Sequence, residues 1–159
     1  RCTSRGLGDV YKRQGIGLAA TQIAIDKRLI VMDCGKTKYE TQNISEEEYD
    51  EKIKDEQFEP FPIKMINPEI ISLGKNLEER EEGCLSIPGY NAKIKRPSSL
   101  KVKYTDENKK DNIIDAEGLL ATCIQHEIDH LNGILFIDHL SKLKREIILK
   151  KAIKEYSKN

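Results

Sequence analysis

Glu117-Gly-Leu-Leu-Ala-Thr-Cys-Ile-Gln-His-Glu-Ile-Asp-His-Leu-Asn-Gly133 is the stretch on which the fold and the chemistry turn. Its apolar residues (Leu119, Leu120, Ile124, Ile128, Leu131) predict a helix from about Glu117 to Asn132, with Gly133 as its stop. On a helix, positions i and i+4 lie one turn apart on the same face, so His126 and His130 can bind one metal ion. Glu127 sits beside that face and can reach a water on the metal without ligating it. Two surface histidines can fall at this spacing by chance. Here, however, the pair takes up two of only three histidines in the chain, on an otherwise apolar segment. Imidazoles turned inward need a polar partner, and a metal ion supplies one.

Two histidines do not complete a site, because catalytic zinc-type centres usually have three protein ligands and an open position. A metzincin-like extension, HExxHxxGxxH, is met at Gly133 but fails at its last position, where Phe136 stands. A thermolysin-like site would draw on a downstream carboxylate, Glu146 or Glu155, both on a lysine-rich segment where a solvated ion pair is the simpler account. His139 is near in sequence, but no motif supports it. Cys84, within Glu81-Glu-Gly-Cys-Leu-Ser-Ile-Pro88, is another candidate: glycine before it allows close backbone approach, and a metal would hold the thiol as thiolate. Spacing alone leaves these ligands open, since 41 residues separate Cys84 from His126.

Working outward, the strands come into view. Arg28–Cys34 is a continuous apolar run, Lys64–Ser72 follows, Leu100–Thr105 alternates with period two, and a further strand is expected near Ile113–Asp115. Asp106–Asp111 between the last two reads as a polar hairpin loop. A final helix, about Ser141 to Tyr156, should place Leu143, Ile147 and Ala152 on one stripe with lysines elsewhere. Several strands, a central helix and a terminal helix make the fold class α+β. The stretch 36–62 is expected to be an acidic insertion, with nine acidic residues against two basic between Glu40 and Glu59, and a helical turn near Ser45–Tyr49 if Ser45 and Glu48 form a capping box.

The chain of 159 residues is about one domain's worth of protein. Its 27 Lys+Arg balance 27 Asp+Glu, which argues against general or sequence-specific nucleic-acid binding. No apolar run approaches the ~18 residues of a membrane span and no export signal is visible, so the expected location is the cytoplasm. Cys2, Cys34, Cys84 and Cys123 are scattered without a CxxC pair. Cys34, at the end of an apolar strand, and Cys123, on the helix, read first as small buried hydrophobes. Residues 1–14 lack an initiator Met and any periodicity and resemble a translated artefact; they are expected not to be native, which leaves 15–159 as a single catalytic domain.

Gly15-Ile-Gly-Leu-Ala-Ala-Thr-Gln22, Glu82-Gly-Cys-Leu-Ser86 and Gln125-His-Glu-Ile-Asp-His-Leu-Asn-Gly133 resemble, in the right order, the three signature motifs of the peptide deformylase family. That resemblance implies antiparallel β-sheets packed around the HExxH helix, and an enzyme that removes the formyl group from the formyl-Met of nascent chains. It implies Cys84, His126 and His130 as ligands of one divalent metal, ferrous iron first, with zinc, nickel or cobalt equally suited to a thiolate and two imidazoles. Glu127 would take a proton from the metal-bound water and deliver it to the leaving amine. The backbone N–H of Leu85 and the side-chain amide of Gln22 would stabilise the oxyanion.

By the same resemblance, Leu119 and Cys123 line the pocket for the substrate's Met side chain, and Arg96 pairs with Glu82 as scaffold. The bare backbone at Gly15-Ile16-Gly17 lets a peptide pair alongside by strand addition. Many bacterial members carry an Arg after the EGCLSIP segment where this chain has Asn91, a change aimed at the substrate backbone rather than the chemistry. The family has a helix and a strand ahead of its first motif, so the resemblance is to an N-terminally truncated member. Lys142–Lys158 carries seven basic residues against two acidic, and the family suggests docking on the ribosome surface, although a solvated helix face is simpler. Two other readings are a zincin-like endopeptidase with a carboxylate ligand and a non-catalytic homologue that binds peptides or the ribosome.

Overall fold

The computed structural model describes residues 16–35 and 61–157. The leader 1–14, nearly all of the acidic insertion and the turn expected near Ser45–Tyr49 lie outside the described residues. Within them the chain runs β1 (Gly17–Ala19), β2 (Leu29–Asp33), β3 (Pro62–Leu73), β4 (Leu77–Cys84), β5 (Ile87–Pro97), β6 (Ser99–Thr105), β7 (Asp111–Glu117), α1 (Gly118–Leu131) and α2 (Lys142–Tyr156). Single turns of 3-10 helix occupy Ala20–Ile23 and Phe136–His139.

Strands β1-β2-β3-β6-β7, in that order, form one antiparallel sheet, and β4-β5 form a second. The β6–β7 loop falls where polar residues predicted it. The Asp106 carboxylate accepts the backbone N–H groups of Asn108 and Lys110, both at 2.9 Å, which closes the turn.

Helix α1 begins directly from β7 because Gly118 takes φ +56°, a left-handed conformation that lets the strand turn into a helix without a spacer. Gly133, at φ +75°, ends it as expected: the Gly133 N–H reaches the His130 carbonyl, and the Ile134 N–H reaches that of Asp129. The inner face of α1 buries Ala121, Ile124 and Ile128 against Ile30, Met65 and Val102 of the larger sheet. Fully burying one such side chain contributes about 1.5–3 kcal/mol. The helix is therefore a rigid platform for whatever it carries on its other face.

The β4–β5 hairpin has no counterpart among the strands anticipated from sequence. The inward positions of β4 are Arg80, Glu82 and Cys84, and those of β5 include Ala92, Ile94 and Arg96. Charged residues thus stand where a strand pattern expects apolar ones, so the alternation is hidden. Ile94 and Ile87 join Phe136, Ile137 and Ala152 in a second core beneath α2.

The stripe expected on the last helix is not the buried one. Leu143 and Ile147 are exposed, and it is Ile148, Leu149 and Ala152 that face the second core. From Ile147 to Ala152 the helix turns roughly 140° off a common face, whereas Ile148 and Leu149 lie one turn from Ala152. Cys123 is buried as expected, but Cys34 is only half-buried at the edge of the main core.

Candidate metal centre and active site

Helix periodicity delivers the first two groups. His126 Nε2 and His130 Nε2 lie 3.2 Å apart, with the rings edge to face at 83°. The third comes from the second sheet. In the β4–β5 pair the register slips between Gly83 and Cys84, so Cys84 pairs with Ile87 across the two-residue turn Leu85–Ser86. That places Cys84 Sγ 3.0 Å from His130 Nε2, and the three ligand atoms all lie within 4.8 Å of one another. Among the described residues this is the group able to hold a metal, and neither glutamate of α2 joins it. Phe136, which occupies the position a metzincin gives to its third histidine, instead lies parallel to the His126 ring, 6.5 Å away.

A thiolate with two imidazoles at such separations fits a tetrahedral ion, whose ligands at ordinary metal–N and metal–S bond lengths stand about 3.3–3.6 Å apart. Burial alone would raise the Cys84 thiol, but hydrogen bonds from His126, His130 and Ser86 outweigh it and lower the group to about 5. The thiolate is thus present at neutral pH. His126 moves the other way: burial would lower it, but the bonds to Cys84 and Glu82 raise it to about 9.

The support beneath His126 is a chain of charged hydrogen bonds. His126 Nδ1 meets Glu82 Oε2 at 2.9 Å, which leaves Nε2 free to ligate an ion. Arg96 grips Glu82 with two bonds, Nε to Oε1 at 2.6 Å and Nη2 to Oε2 at 3.0 Å, as the family resemblance implied. Arg96 Nη1 also donates to Asp129 Oδ2 at 2.8 Å, and His139 Nε2 meets the same oxygen at 2.7 Å. Asp129 and the place of His139 are the parts that sequence reasoning missed. The only signal was the aspartate inside His126–His130, three residues after His126 and so about 60° round the helix from it.

Glu127 is 3% exposed, and its Oε2 is buried without a hydrogen-bond partner. Burial raises its carboxyl to about 7; the two histidines pull it down, and Cys84 adds to the rise. A buried carboxyl that titrates near neutrality with one bare oxygen is equipped to accept and return a proton. Its other side rests on Gly17. A methyl group added there would sit 2.8 Å from Glu127 Cδ and 2.9 Å from Cγ, with Oε1 closer still. The glycine therefore has a reason beyond substrate approach: β1 passes so near Glu127 that a side chain would displace it.

Gln22, on the 3-10 turn after β1, accepts the Ala19 N–H through Oε1 at 2.9 Å and points Nε2 at Cys84 Sγ, 3.4 Å away. Leu85 is exposed in the hairpin turn next to Cys84. Leu119 is half-buried at the start of α1, and Ile16 packs on the same core as Cys123.

The polypeptide deformylase family model matches residues 7–146. The chain belongs to that family. It is 45% identical over 148 residues to a peptide deformylase of Agrobacterium fabrum, covering 93% of this chain and 76% of that protein. A peptide deformylase of Bradyrhizobium diazoefficiens is 50% identical over 144 residues, 89% of this chain and 73% of its own length. Among solved structures, the peptide deformylase of Ehrlichia chaffeensis superposes with a TM-score of 0.72 at 39% identity, covering 89% of this chain and 74% of that one. Membership makes the chain a hydrolase of a metal-dependent family, with a Cys/His/His group able to hold the ion. Among the described residues no helix is long and apolar enough to cross a membrane.

Proposed function

We propose that this chain removes the N-formyl group from the formyl-methionine of nascent polypeptides, releasing formate, through one divalent metal held by Cys84, His126 and His130. The observation that carries the reading is the buried, partnerless Oε2 of Glu127 beside three converging ligand atoms. When bound, the metal supplies a Lewis acid that makes a water acidic near neutrality. Ferrous iron is the proposed physiological ion, with zinc, nickel and cobalt as substitutes.

The residues divide the rest of the work. Glu127 takes the proton from the attacking water and hands it to the leaving amine, a task that suits a buried carboxyl whose surroundings raise it above the ordinary carboxylate range. The Leu85 N–H and Gln22 Nε2 donate to the oxygen of the attacked formyl group. Losing one such donor typically costs about 10²–10³ in rate. Ile16 and Gly17 pair with the substrate backbone along the side of β1 that is open among the described residues, and Leu119 and Cys123 line the pocket for the methionine side chain. Glu82 and Arg96 hold His126 in its ligating tautomer. One domain, residues 15–159, carries all of these groups.

The setting follows from the substrate: formylated nascent chains are met in the cytoplasm at the ribosome. The exposed lysines of α2 give it a basic face for that surface. Co-sedimentation with ribosomes that weakens as salt rises is the expected result, and binding that ignores salt would count against it.

Formate release from a formyl-Met tripeptide by protein purified without oxygen and reloaded with ferrous iron tests the central reading. Metal-loaded protein that leaves the formyl group in place would refute it.

A further inference from the structure

Gln22 is half-exposed on a single helical turn, so something must aim its amide. The partners decide its orientation. The Ala19 N–H can only donate, so the amide oxygen faces it at 2.9 Å, and the nitrogen must point the opposite way. There it meets two acceptors, Ser86 Oγ at 3.2 Å and Cys84 Sγ at 3.4 Å. Ser86 is the second residue of the hairpin turn that follows Cys84, and its backbone N–H also donates to the Cys84 sulfur at 3.4 Å. The hydroxyl thus stands beside the catalytic cluster without being a ligand.

We propose that Ser86 is a positioning residue whose hydroxyl pins the Gln22 amide, so that the hydrogen on its sulfur-facing side is presented to substrate. The inference rests on the deformylase reading, in which Gln22 donates to the oxyanion. At 3.4 Å the Cys84 contact is as close for sulfur as 3.2 Å is for the Ser86 oxygen, but a thiolate that also ligates a cation has less charge to offer a donor. The hydrogen on that side is the one available beside the metal ligands, while the Ser86 bond holds the amide plane. With only the Ala19 bond left, the side chain pivots about its oxygen and the donor loses its aim.

The test combines Ser86→Ala, Ser86→Thr, Gln22→Ala and the Ser86→Ala/Gln22→Ala pair, all assayed as metal-loaded protein with formyl-Met tripeptide. Ser86→Ala should lower kcat about three- to tenfold, the effect of one hydrogen bond, with KM and metal content unchanged. Ser86→Thr keeps a hydroxyl and should recover the loss to within about twofold. In the Gln22→Ala background the serine change should have almost no effect, because its only route is through that amide. An unaltered kcat in Ser86→Ala, an equal drop in the Gln22→Ala background, or a loss that tracks metal content would each overturn the proposal. Nitrogen-15 relaxation of the Gln22 side-chain amide supplies a readout independent of turnover: it should be rigid in the parent and mobile in Ser86→Ala, and equal mobility in both would overturn the clamp. A parent that releases no formate yet shows this difference sinks the deformylase reading and supports the clamp.

Discussion

Replacing Gly17 by alanine tests how closely the first strand fits the proposed proton carrier. The new methyl group would lie 2.8 Å from Glu127 Cδ and 2.9 Å from Cγ, inside normal carbon–carbon contact. Relief must come from Glu127 or from β1. The carboxyl has little room, being 3% exposed. Strand β1 is three residues long and, among the described residues, pairs only with β2, with the Asp33 N–H bonded to the Ile16 carbonyl at 2.7 Å. Overpacking of this kind costs about 1–3 kcal/mol, and a misplacement near 1 Å at a reacting group can cost about 10²-fold in rate. The expected outcome is a fall of about 100-fold in kcat for formyl-Met-peptide hydrolysis, a few degrees' loss in Tm and full metal content. If Gly17 served only to let the substrate strand approach, KM would rise and kcat would hold. A Gly17→Ala protein with kcat within about threefold of the parent would refute the argument that the glycine seats Glu127.

Three further outcomes follow from the same site. Cys84→Ala should lose both bound metal and formate release, measured by elemental analysis beside the assay; retention of both would return the third ligand to a carboxylate or to His139. Glu127→Gln should abolish turnover yet stabilise the metal-free protein. The folded carboxyl titrates near 7 against 4.5 in the unfolded chain, so the cost of ionising it is absent below about 4.5 and complete above about 7. Chemical denaturation should therefore show a gain of up to about 3 kcal/mol at pH 8 and none at pH 4, and a gain equal at both would be inconsistent with buried ionisation. Arg96→Ala strands the buried Glu82 charge and should cost about 3–5 kcal/mol in stability, and weaken metal binding roughly 10–100-fold, by denaturation and chelator competition. Tight metal binding in that variant would mean Glu82 orients His126 unaided.

Much of the architecture was legible because it is written in short-range periodicity. The apolar run before Cys34, the alternation over Leu100–Thr105 and the helix closed by Gly133 all came out near their expected bounds. The β4–β5 hairpin was not legible. Its inner face carries Glu82 and Arg96, which neutralise each other inside the protein but read in sequence as two solvent-facing charges. The buried face of α2 was misjudged for a related reason: with lysines spread round the helix, several apolar stripes compete, and only the second core decides that Ile148, Leu149 and Ala152 go inward. The three motifs carried the family; the support around them, Asp129 with His139 and Ser86 with Gln22, has no local pattern to betray it.

By itself the sequence determined the pair of imidazoles, because residues four apart on a helix share a face whatever surrounds them. It also placed a carboxylate, Glu127, beside that face. The motif resemblance pointed to Cys84, but only the tertiary structure brings that sulfur, from a different sheet, to the two imidazoles, buries Glu127 deeply enough to titrate near neutrality, and makes Gly17 the surface it rests on. Those are through-space facts. They depend on a register slip in one hairpin and the close passage of one edge strand, and neither leaves a regular trace along the chain.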